Sequence, residues 1–168
     1  MIEKFKTLFF VKSSLISLYL ALTIPIPYIS SEKLKIFSII FFVFGLLLII
    51  NITDDYVYTC DKKISYKTSV ISKIFGNKNW EIIWGDIKLI KSLPTSQGSK
   101  VHYFINNKNE GFLVPQRIEN FERLISVVKD KTKLNIDNIS YISPLWTYKL
   151  LTYLSIFMII GEIIAFTI

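Results

Sequence analysis

Two uncharged runs of 17 residues each, Ser13–Ile29 and Ile36–Ile52, lie six residues apart near the N-terminus. Few soluble folds can bury two such stretches back to back. Each is at the short end of what crosses a bilayer as a helix, and Leu8–Val11 lengthens the first if Lys12 extends its ammonium toward the headgroups. Ser30-Ser-Glu-Lys-Leu-Lys35 supplies a polar turn between them. Residues 1–53 are therefore expected to form a membrane hairpin, with spans of about 8–29 and 36–52. Lys12 interrupts the first apolar run and no small-x-small cleavage site follows it, so a retained helix is favoured over a signal peptide. A third apolar run, Leu145–Ile168, carries Trp146, Tyr148 and Tyr153 at its entering end, where interfacial aromatics belong, and is read as a third span.

Between these runs the character changes. Residues 54–132 are polar, with short β-branched and aromatic stretches separated by turn residues. Strands are predicted at Tyr56–Cys60, Ile64–Ile71, Asn79–Trp84, Ile87–Ser92, Val101–Ile105 and Gly111–Val114. A helix is predicted over Ile118–Lys131, where Phe121, Leu124, Ile125 and Val128 form one apolar stripe. Such a helix needs a sheet to cover. Residues 133–144 are expected to be a linker.

The segment Ile83-Trp-Gly-Asp-Ile-Lys-Leu-Ile90, the strand end Leu113-Val-Pro115 and the helix with Phe121, Leu124 and Ile125 resemble the bacterial pleckstrin-homology-like (PH-like) membrane proteins. The paired membrane helices before them look like that family too, whereas a third C-terminal span departs from it. The resemblance implies a PH-like β-barrel or sandwich, partly open and capped by the C-terminal helix, with no catalytic activity. A fainter likeness, in order of parts and not in motif, is to the photosystem I assembly factor of cyanobacteria and plastids.

The chain carries a net charge of +7. Lys4, Lys6 and Lys12 precede the first span, Lys62, Lys63 and Lys67 follow the second, and no Lys or Arg follows the third. The positive-inside rule then places the N-terminus and the central domain in the cytoplasm, and the hairpin turn and Ile168 outside. The protein is expected to be a multi-pass protein of a bacterial inner or plasma membrane, or of an organellar membrane.

No catalytic set emerges. Gly76, Gly85, Gly98 and Gly111 are isolated turn glycines with no phosphate-binding spacing, and no Gly-x-Ser-x-Gly elbow occurs. Cys60 and His102 are the only residues of their types, which excludes an intrachain disulfide and leaves no Cys/His metal pattern. Glu119 and Glu122 suit a helix start, and Asp86 suits a turn. Catalytic, cofactor and metal sites are accordingly expected to be absent, as are nucleic-acid and small-molecule partners.

Candidate contact residues are of two kinds. Lys62, Lys63, Lys67, Lys73 and Lys78 would meet a protein partner or anionic headgroups, at about 1 kcal/mol per near-surface cation. Glu162, an ionisable residue inside the third span, is a candidate intramembrane contact, with Lys33 or Lys35 as possible counter-charges. A face around Trp80, Trp84 and Gly98 is expected to be exposed for a partner. The function expected is a non-enzymatic scaffold or assembly module, held at the membrane, that binds membrane lipids and an integral-membrane protein partner or a second copy. The alternative is an accessory or regulatory subunit of a membrane transport or envelope-stress complex.

Overall fold

The computed structural model describes residues 2–96, 98–134, 136, 139 and 141–168. They form two compact units: residues 9–53 with 145–168, and residues 1–8 with 54–144.

The first unit is helical. It contains α1 (Phe9–Thr23), α2 (Pro25–Ile29), α3 (Glu32–Ile52) and, from the far end of the chain, α6 (Leu145–Thr167). Phe9–Ile29, Glu32–Ile52 and Leu145–Thr167 are each long and apolar enough to cross a membrane. At 1.5 Å per residue they reach about 30–35 Å, the thickness of a hydrocarbon core. The break at Ile24 falls before Pro25 and Pro27, which cannot donate backbone hydrogen bonds. α6 runs parallel to α1: Lys149 Nζ lies 5.1 Å from the Phe10 ring centroid, and Tyr28 and Phe166 have their rings 4.2 Å apart near the other end. Ser14, Ser17 and Ala21 on α1 and Thr152 and Ser155 on α6 are buried. Small residues of this kind let helix backbones approach closely. Their hydroxyls are satisfied within their own helices, for example Ser14 Oγ to Val11 O at 3.0 Å and Ser155 Oγ to Leu151 O at 2.8 Å. α3 packs antiparallel to α1, and Tyr19 donates across to Phe42 O at 2.8 Å. Gly45 makes room for that ring, since a Cβ there would sit 2.9 Å from Tyr19 Cζ.

The second unit contains two antiparallel sheets, with strand orders β1-β2-β3-β4 and β5-β6-β7, that do not close into a barrel. The strands are β1 (Glu3–Lys6), β2 (Tyr56–Thr59), β3 (Lys63–Lys67), β4 (Trp80–Ile83), β5 (Ile87–Pro94), β6 (Lys100–Asn106) and β7 (Gly111–Leu113). Phe5, Val57, Ile64 and Ile82 of the first sheet and Ile87 and Phe104 of the second share one core. α5 (Phe121–Thr132) covers it with Phe121, Leu124 and Val128, the stripe its spacing predicts.

Three sequence expectations are corrected here. The outer strand β1 comes from ahead of the first apolar helix, so residues 1–8 belong to the sheet unit and not to the hairpin, while the cut between residues 53 and 54 stands. The expected strand Ile64–Ile71 ends at Lys67 and gives way to a short helix, α4 (Val70–Ile74). Ser69 caps α4, its Oγ accepting from Ser72 N at 3.0 Å, and this local bond overrides the β-branched composition. The expected linker 133–144 is partly core: Ile136 is buried, and Leu134, Ile139 and Tyr141 pack against the cluster. Tyr141 Oη also accepts from Phe121 N at 3.4 Å, serving the first turn of α5, whose N-cap Asn120 makes no side-chain cap.

Candidate functional site

The register of the first sheet divides the five candidate lysines. Lys6 pairs with Tyr56, and Tyr56 pairs with Lys67. At the opposite end Glu3 pairs with Thr59, and Thr59 with Ile64. Lys67 thus shares one end of the sheet with the start of α4, from which Lys73 and Lys78 follow, whereas Lys62 and Lys63 belong to the other end. Lys63 Nζ is already engaged by Glu81 Oε2 at 2.8 Å. That hydrogen bond raises the Lys63 pKa and lowers that of Glu81. Lys62, Lys73 and Lys78 are exposed.

Asp55 organises the first of these ends. Its Oδ2 accepts from Tyr66 Oη at 2.7 Å and its Oδ1 from Ser69 N at 3.0 Å, while its backbone oxygen accepts from Thr7 N at 3.1 Å. Burial first, and then the Asp55 carboxylate, push the Tyr66 phenol well above its ordinary range. Asn79 Oδ1 closes the loop that contains α4 by accepting from Thr68 N at 2.8 Å. Sequence reading did not single out Asp55.

The face expected around Trp80, Trp84 and Gly98 is not an exposed surface. Trp84 is buried and donates its indole Nε1–H to Cys60 O at 2.8 Å. Trp80 packs against the core, with its ring 6.0 Å from Phe104 and 5.7 Å from Phe112. Large aromatics recover more by burial than by exposure once the indole N–H has a partner. Gly98 is exposed at the tip of the Thr95–Ser99 turn, with φ +77°.

The uncovered apolar surface lies instead on the second sheet. Strand alternation and register put Leu89, Leu93, Val101, Tyr103, Ile105 and Leu113 on its outer side, with Lys91 among them. Leu89, Leu93 and Leu113 are exposed and the other three half-buried. The outer side of the first sheet is more polar, carrying Lys4, Tyr56, Tyr58, Lys67 and Glu81 beside exposed Ile83. A cluster of exposed apolar side chains on one sheet face marks an interaction surface more often than scattered single ones do.

Cys60 and His102 do not form a pair. Cys60 Sγ contacts Lys63 O at 3.5 Å, and His102 Nδ1 lies 2.7 Å from Ser92 Oγ on the neighbouring strand. His102 is buried, and burial lowers its pKa. Its proton is therefore held more weakly in the folded state than in the unfolded one. Stability should be complete above the ordinary histidine range and should fall as pH drops through 6.5 toward the folded-state value. Denaturant unfolding followed between pH 8 and 5 should show this loss, and a His102→Gln variant should lose that part of the pH dependence. Among the described residues no three His, Cys, Asp or Glu side chains converge as a metal site requires.

Glu162 sits on α6. Its Oε2 is buried with no hydrogen-bond partner, and no ion pair joins it to Lys33 or Lys35. The parallel contacts of α1 and α6 place it about level with the break at Ile24.

The structure thus defines a class: a mixed helix-and-sheet protein whose three apolar helices are compatible with a membrane location and whose other unit is built on two antiparallel sheets. No family model matches the chain. It is similar to the uncharacterized protein slr0269 of Synechocystis sp. strain PCC 6803, with 28% identity over 147 residues, covering 84% of this chain and 74% of that one.

Proposed function

We propose that this protein is a non-enzymatic, membrane-anchored scaffold or assembly module whose two-sheet unit is PH-like and binds a protein partner. The observation that carries the reading is the apolar outer side of β5–β6–β7, centred on Leu93, Tyr103 and Leu113. Among the described residues, seven strands followed by one covering helix support the PH-like assignment, although the sheets stay open. An apolar face with the cationic Lys91 set opposite Tyr103 suits a partner surface that offers apolar side chains and a carboxylate.

Photo-crosslinking tests this in native membranes with the full chain. A photoreactive residue at Leu93 or Leu113 should give a discrete protein adduct, and one at Glu122 on α5 should not. An adduct of twice the chain's mass would identify a second copy as the partner. Lipid adducts alone, or none, would remove the protein-docking role.

The lysine distribution supports a cytoplasmic location for the two-sheet unit. Protease added outside intact cells should leave that unit whole, and cleavage within it would reverse the orientation.

The unpartnered Glu162 carboxyl favours a second reading, in which the chain is an accessory or regulatory subunit of a membrane transport or envelope-stress complex. There the helices would join other subunits and Glu162 would meet a donor on one of them. A Glu162→Gln variant that assembles and functions normally would exclude this role for the carboxylate.

A further inference from the structure

A second uncovered apolar group lies on α4 and the turn after it. Val70, Ile74 and Phe75 are 71%, 78% and 69% exposed, more than any other large apolar side chain among the described residues of the two-sheet unit. The inward side of α4 is taken by Ser72, which is fully buried, so these three residues project away from their own core. Gly76, at φ +90°, then turns the chain back toward β4. Lys67, Lys73 and Lys78 flank the group.

Connectivity decides what this wedge meets. β1 runs from Glu3 to Lys6 and leads into α1 at Phe9, while β2 starts at Tyr56, just after α3 ends at Ile52. The sheet end marked by Lys6, Tyr56 and Lys67 is therefore where the chain joins both apolar helices. α4 follows Lys67 within three residues, and Asp55 holds it through Ser69 N and Tyr66 Oη. Asp55 itself is only three residues beyond Ile52, a reach of at most about 11 Å.

We propose that α4 and its turn dock into an anionic bilayer surface, with Val70, Ile74 and Phe75 at the headgroup–acyl boundary and Lys67, Lys73 and Lys78 on lipid phosphates. An apolar tip ringed by cations is the chemistry that holds interfacial segments on anionic leaflets. Lys62 and Lys63 stay in water at the far end of the sheet. The proposal rests on the apolar helices crossing a bilayer and is independent of the protein-docking surface.

The test uses the full chain with Cys60→Ser, reconstituted in vesicles of phosphatidylcholine alone or with phosphatidylglycerol. Single cysteines replace Phe75, Ile74, Lys62 or Phe157 and carry a polarity-sensitive fluorophore. Phe157 is an exposed α6 residue; failure of its label to be quenched by a deep acyl-chain nitroxide would indict the membrane crossing itself. With that control positive, labels at Phe75 and Ile74 should be blue-shifted and quenched by a shallow lipid nitroxide in anionic vesicles, and the Lys62 label should stay water-like. Lys73→Glu and Lys78→Glu should each weaken the docked state about fivefold or more, the factor that one near-surface cation contributes. A water-like label at Phe75 overturns the proposal. So does a blue-shifted label that lipid nitroxide fails to quench, because a second copy would then be the cover. Equal quenching in neutral and anionic vesicles overturns the role of the lysines.

Discussion

Phe104→Ala should destabilise the two-sheet unit by about 3–5 kcal/mol, the usual cost of removing a fully buried phenyl ring. Phe104 has no exposed surface and lies at the middle of β6, opposite Ile90 on one strand and Phe112 on the other. The Trp80 ring meets it edge-on at 6.0 Å, so the core of the second sheet reaches the first through this contact. The loss combines the transfer term with the cavity left between two sheets that no barrel closure holds together. Set against a typical domain stability of about 5–15 kcal/mol, that is a large fraction. Denaturant unfolding of the detergent-solubilised chain, followed by tryptophan emission, measures it. Phe112→Ala, at a half-buried position, should cost less. Equal and small losses at both positions would mean that the sheets do not share a core.

The second large effect is expected at Asp55. Asp55→Ala should cost about 3 kcal/mol, since hydrogen bonds to a charged group contribute about 1.5–3 kcal/mol each and this half-buried carboxylate accepts two, each taken at the low end. Ser69 N and Tyr66 Oη would both lose their acceptor. Tyr66→Phe removes only the second bond and should do less. Asp55→Asn can keep the bond from Ser69 N through its amide oxygen and should fall between. The variants should also free the segment Thr68–Asn79, which limited proteolysis would show as faster cutting around α4. Unchanged cleavage in Asp55→Ala would place the anchor of α4 elsewhere, at Asn79 and its bond from Thr68 N.

What the sequence made legible follows from how strongly each element repeats its own pattern. Ile36–Ile52 carries no charge along its length, and Phe121, Leu124, Ile125 and Val128 recur at helical spacing, so both helices are plain from residue type alone. β1 offers no such signal. Glu3-Lys-Phe-Lys6 has one apolar residue, and its strand character comes from pairing with residues about 50 positions away. α4 was hidden by composition, because Val70 and Ile71 suit strands and only Ser69, bonded to Ser72 N, starts the helix. Leu134, Ile136, Ile139 and Tyr141 follow neither period, so their burial against the core had no local signature. For the candidate surfaces the sequence could not show how the residues are grouped. It named the lysines but could not separate Lys63, bound to Glu81, from Lys73 and Lys78 beside exposed Ile74 and Phe75. It singled out Trp80 and Trp84 for their size, and that size is what draws them into the core.

The pairing of β1 with β2 has a consequence for biosynthesis. The two strands are neighbours in one sheet, yet the segment carrying α1, α2 and α3 is translated between them. Glu3–Lys6 must therefore wait, unpaired, until Tyr56–Thr59 has been made. Because both strands must finish in the same aqueous compartment, the intervening chain can cross a bilayer only an even number of times. A single crossing would strand the two halves of the sheet on opposite sides. The β1–β2 pair thus agrees with the hairpin arrangement under which the two-sheet unit lies on one side of the membrane in the proposed function.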